Sequence, residues 1–94
     1  MNVEIDGIVG NVEVKADKKT GLPVLNVLLM DNKGKQVKAR VKQVDDKVSM
    51  LKFGHPVQIR FENLDYLMSE FGNLSFGCES ARVLNVPTAK VVNG

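Results

Sequence analysis

The segment Gln36–Lys42, QVKARVK, carries a cation at every second position: Lys38, Arg40 and Lys42. Alternate residues of an extended chain share one face, about 7 Å apart. Like charges at that interval suit a polyanion with a regular repeat better than a compact ligand, and an extended single nucleic-acid strand has such a repeat. No acid alternates with these cations inside the segment. Lys15, Lys18 and Lys19 add a second basic cluster shortly upstream. The plainer reading stands beside this one: an outward strand face is commonly polar, and lysines on it discourage edge-to-edge aggregation.

Net charge is only +2, so the total does not point to a polyanion. Its distribution does. Met1 to Asp31 holds 3 basic and 5 acidic residues, Lys33 to Lys52 holds 7 and 2, and Phe53 to Gly94 holds 3 and 4. The middle of the chain is therefore the cationic part, and a local concentration of charge steers a polyanion more than the sum does.

Catalytic chemistry finds little to use. His55, the one histidine, stands between Gly54 and Pro56, where a turn histidine is ordinarily solvated. Cys78, the one cysteine, falls on an inward parity and reads as a small core residue; alone it forms no intramolecular disulfide and supports no four-ligand metal site. Asp45 and Asp46 read as charges at a helix N-terminus. The glycines are scattered through turns and form no phosphate-binding loop. The expectation is a protein that is not an enzyme, with no catalytic residue, no metal and no cofactor.

Of the five aromatics, Phe61 and Phe76 fit inward positions, and Phe53, closing a short helix, is expected in the core. Phe71 precedes Gly72-Asn73 at a hairpin tip, where it is either a packing plug or a platform for a base. Tyr66, on the way to that tip, could stack likewise. Stacking on an aromatic contributes about 1–3 kcal/mol per base and tolerates any sequence.

The elements that must position these residues are strands. Asn2–Val14 alternates, with Val3 and Ile5 on one parity and Ile8, Val12 and Val14 on the other, so a bulge is expected at Gly7. ADKKTG is turn chemistry, Pro23 suits a strand start, and VLNVLLM reads as a strand covered on both faces. Asp31–Gly34 is a hairpin turn, and residues 36–42 form the third strand, with Val37, Ala39 and Val41 inward. Val44, Val48 and Leu51 lie at helical spacing, giving one or two turns before Gly54. A fourth strand starts at Pro56, with Val57, Ile59 and Phe61 inward. The last returns from Asn73, with Leu74, Phe76, Cys78 and Leu84 inward, or the opposite parity if Gly77 marks a bulge. Pro87 ends it. The expected fold is all-β: a small five-stranded OB-fold-like barrel with one short helix between strands 3 and 4. It spans residues 1–87, and residues 88–94 are expected to form a flexible tail.

Two segments resemble a family. KTGLPVLN is similar to the basic loop and second-strand start of the single-stranded-DNA-binding proteins of filamentous phages. EFGNLSFGCESARVLNVP is similar to their later hairpin and last strand. The resemblance implies a dimeric OB-fold protein that coats single-stranded DNA. By it, Lys19 is the loop cation, Lys42 a third-strand lysine, Phe71 the tip aromatic that reaches DNA held by the partner subunit, and Arg82 a phosphate contact. Val24 stands where the family often has tyrosine, which leaves stacking to Phe71 and Tyr66.

The sequence thus predicts a sequence-non-specific single-stranded-DNA-binding protein of phage or plasmid replication, with RNA an open alternative ligand. Its binding residues are Lys15, Lys18, Lys19, Lys38, Arg40, Lys42, Tyr66, Phe71 and Arg82. The competing expectation is a barrel-type protein-interaction module of a phage or replication assembly that does not touch nucleic acid. The acidic start and the lack of a long apolar run lead us to expect a cytoplasmic protein without membrane contact, and the resemblance implies that it is a homodimer.

Overall fold

The computed structural model describes residues 1–85; the expected strand end at Pro87 and the tail lie outside the described residues. Five strands are present: β1 (Val3–Ala16), β2 (Pro23–Asp31), β3 (Gln36–Val41), β4 (Pro56–Glu70) and β5 (Asn73–Asn85). One helical turn, α1 (Asp46–Ser49), joins β3 to β4. The strands close into a barrel in the order β1-β2-β3-β5-β4, with β3 and β5 parallel and every other pair antiparallel. This is the expected five-stranded barrel with its helix between strands 3 and 4. No helix among the described residues is long and apolar enough to cross a membrane.

Alternation explains most of the interior. In β3, Val37, Ala39 and Val41 are buried while Gln36, Lys38 and Arg40 are exposed. Val57, Ile59 and Phe61 do the same in β4. Phe61 meets Phe76 edge-on, with centroids 5.0 Å apart and planes at 73°, so the two largest core rings interlock where β4 and β5 cross the barrel. The α1 turn plugs one end through Val48, which is fully buried. Asp45 caps it, its Oδ1 accepting from the Val48 amide at 3.0 Å.

Four expectations need correction. The β1 phase change lies at Gly10, the residue skipped in the register between Val9 and Asn11, so Val9 rather than Ile8 faces the core. Gly7 stays in phase, paired with Asp31 and Val57, and β2 approaches it closely: a Cβ there would stand 2.5 Å from the Met30 carbonyl oxygen. Phe53 is 82% exposed, because the chain leaves α1 in a turn that passes over β1 and not beneath it. Leu84 points outward, since β5 changes parity between Cys78 and Ala81. Gly77 marks no bulge on its own strand. The extra residue lies opposite, in β4, where the register skips Asp65 between Leu64 and Tyr66.

Candidate nucleic-acid interface

The outer face of β2, β3, β5 and β4 is organised in cross-strand rows. One row runs Asn26–Arg40–Gly77–Tyr66 and the next Leu28–Lys38–Ser75–Met68. Gly77 has no side chain, and the Tyr66 ring lies over the vacancy: a Cβ at Gly77 would come within 2.5 Å of Tyr66 Cε1. The β4 bulge at Asp65 is what turns Tyr66 onto this face. Tyr66 is 47% exposed, so one side of the ring is packed and the other is free to take a base.

A trough follows these rows. Its wide end, about 780 Å³, is bounded by Lys15, Lys18, Lys19, Arg40, Lys42 and Tyr66. Its middle, about 220 Å³, shares Asn26, Arg40 and Tyr66 with the wide end and adds Lys38 and Ser75. Lys38 and Ser75 also border the last section, about 630 Å³, which reaches Met68, Glu70 and Asn73 beside the β4–β5 tip. Seven of the nine residues expected from the sequence therefore line one surface feature.

The β1–β2 loop that carries Lys18 and Lys19 is shaped by Asp17. Its Oδ1 accepts from the Lys19 amide at 2.9 Å, its carbonyl accepts from the Gly21 amide at 2.8 Å, and Gly21 takes φ +74°. The Lys19 amide, helped by the Arg40 guanidinium, holds the Asp17 carboxyl below its usual range against some opposing desolvation. Asp17 Oδ2 also lies 3.2 Å from Arg40 Nη2. Asp65 stands 3.0 Å from Lys42 Nζ, and that hydrogen-bonded contact pushes the lysine above its usual range. The face is thus not free of balancing acid, as the β3 segment alone suggested. Both acids arrive from elsewhere in the chain, one just past the end of β1 and one on the β4 bulge, where no alternation pattern announces them. Lys15 pairs with Glu13 at 3.4 Å, whereas Lys18, Lys19 and Lys38 have no ion-pair partner among the described residues.

Phe71 lies beyond the section of the trough that reaches the β4–β5 tip and does not line it. It and Gly72 form the two-residue turn between Glu70 and Asn73, with φ of 54° and 83°. Both values belong to the left-handed region that a type I′ hairpin requires. A bulky residue there costs on the order of 1–3 kcal/mol, and such strain gathers at functional positions. Phe71 is 86% exposed, so packing within this chain offsets none of that cost. The tip is held from below, where the Gln36 amide donates to Asn73 Oδ1 at 2.9 Å.

Arg82 is not brought to the trough. Its register partner is Arg60, which pairs with Glu4, and its Nη2 donates to Glu62 Oε2 at 3.0 Å. Glu62 also takes the Ser80 hydroxyl at 3.3 Å and faces Arg60 at 3.2 Å, so Arg82 belongs to an ion network on the β1–β4–β5 face. Cys78 lies in the core as expected, and burial, with Asp65 and Glu79 adding, pushes its thiol up to about 11. It stays protonated at neutral pH, which makes it a poor nucleophile.

Compared with protein-family models, with curated proteins and with solved structures, the chain matches none.

Proposed function

We propose that the protein binds single-stranded DNA along this trough, led by phosphate contacts. The observation that carries the reading is the run of cations from the β1–β2 loop down the outer face of β3, on the side of a closed barrel. OB-type barrels bind oligonucleotides on the strand 2–3 face and its flanking loops. Successive outward residues of β3 stand about 7 Å apart. That is about twice the roughly 3.4 Å rise per phosphate of a duplex strand and close to the spacing of an extended single strand. Lys18, Lys19 and Lys38 meet phosphates first, Arg40 and Lys42 follow by exchanging Asp17 and Asp65 for phosphate oxygens, and Tyr66 stacks a base. The resemblance to phage proteins that coat single strands supports the same reading and adds replication as its setting and a dimer as its form. RNA offers the same phosphates and remains within the reading.

A titration with oligo-dT at several salt concentrations tests this. With four to five phosphates neutralised, log affinity should fall against log salt with a slope of about −3, at roughly −0.7 per phosphate. No binding at low salt, or a slope near zero, rejects the reading.

A protein-interaction module is the second reading, favoured by Leu67, Met68 and Phe71, all exposed along one hairpin arm. Phe71→Ala separates the two when oligo-dT affinity and mass in solution are measured together. Lost DNA affinity at unchanged mass is the result expected of a stacking platform. Lost self-association with intact DNA binding is the result expected of a contact surface.

A further inference from the structure

We infer that the middle of the trough is a pocket for a single base, and that it prefers a base with a carbonyl at C4 or C6 (thymine or uracil O4, guanine O6) over one with an amine at that position (cytosine N4, adenine N6). The inference rests on the reading of the trough as a single-strand interface. At about 220 Å³ this section lies below the roughly 300–1,000 Å³ of drug-sized ligand pockets and suits one ring system. Tyr66 is one wall, held flat by the missing side chain of Gly77. The amides of Asn11 and Asn26 and the hydroxyl of Ser75 line the same section. None of the three has a side-chain hydrogen bond among the described residues. Polar groups of this kind, solvated and unspent, are available to a base edge.

An asparagine amide offers one donor side and one acceptor side, so by turning over it can pair with any base. Lys38 and Arg40 break that symmetry. They flank the same section and can only donate. Thymine O4 or guanine O6 accepts from them, while the ring N–H beside that carbonyl donates to an amide or hydroxyl oxygen. In the same seat, cytosine N4 or adenine N6 would bring a donor toward donors. Phosphate contacts then set affinity and register, and this pocket reads one base position.

The comparison that isolates the effect is a dT against a dC oligomer of equal length, since both are pyrimidines on the same backbone and the phosphate contribution cancels at equal salt. The wild-type protein should bind the dT oligomer about fivefold more tightly, the effect of one net hydrogen bond. Lys38→Met and Arg40→Met, which remove the donor-only groups, should each lower the ratio toward one, and the second serves if the first variant loses its fold by circular dichroism. Asn32→Ala, in the β2–β3 turn, should keep the wild-type ratio. A wild-type ratio of one, or a ratio that survives both trough substitutions, overturns the inference while leaving the single-strand reading in place. Failure to bind either oligomer at low salt removes that reading and the pocket with it.

Discussion

Lys38→Glu should weaken oligo-dT binding about 60-fold at about 50 mM salt. Each phosphate contact releases roughly 0.7 of a counterion, which at that concentration makes one contact worth about eightfold, and reversing the charge applies the factor about twice. Lys38 is the right target because it stands where two sections of the trough meet and no carboxylate among the described residues neutralises it. Asp65→Asn should act in the opposite direction, tightening binding a few-fold by releasing Lys42 from its 3.0 Å contact. Arg82→Glu is the informative contrast. The family resemblance makes Arg82 a phosphate contact, but it lies with Glu62 and Arg60 on another face, so its reversal should change affinity less than about twofold. Anisotropy titrations of the three variants at two salt concentrations decide the matter. Wild-type affinity in Lys38→Glu would mean that the strand does not run along β3, and a large loss in Arg82→Glu would mean that it runs along β1, β4 and β5.

Gly7→Ala should lower stability by about 2–4 kcal/mol. The new methyl would stand 2.5 Å from a backbone oxygen of β2, and backbone cannot swing aside as a side chain can, so the two strands must part or the carbonyl must tilt out of its ladder. Gly7 pairs with both Asp31 and Val57, so the disturbance reaches both seams of β1. In a domain of this size each kcal/mol moves the melting temperature by about 4–8 °C, giving a fall of roughly 8–32 °C. Gly77→Ala makes the useful comparison, because the atom it meets belongs to the Tyr66 ring. Calorimetry should show a smaller drop for Gly77→Ala than for Gly7→Ala. Equal drops would mean that the Gly7 ladder yields as readily as a tyrosine.

What could be read in the sequence tracked how far each signal depended on distant chain. QVKARVK announced β3 and both its faces, because one strand's alternation is complete within itself. Val57, Ile59 and Phe61 were legible for the same reason. Gly7 and Gly10 were not distinguishable, since either could host the phase change of β1 and only the register against β2 separates them. Phe53 misled because a phenylalanine after a helical turn usually packs down, whereas this turn is carried across β1 by hydrogen bonds between Val9 and residues 54 and 55. Of the candidate site, the lysines were visible as charges, but their ion pairs were not. Asp17 and Asp65 come within reach only once β1, β2, β3 and β4 are assembled. Asn26 and Ser75 carried no signal at all, and Gly77 signalled only a bulge on its own strand, which it does not mark; all three matter through the rows they occupy.

The parallel seam between β3 and β5 also orders events on the ribosome. The first three strands can form a meander as they emerge, but β1 finds its second neighbour only when Phe61 has been made, and β3 only when the chain has passed Cys78. Until then both flanks of the meander are open, and Val37, Ala39 and Val41 face no opposing strand. Every row of the trough crosses that late seam. The lysines of the β1–β2 loop and of β3 are therefore made before the surface that arranges them, and that surface is complete only once β5 has paired with both β3 and β4.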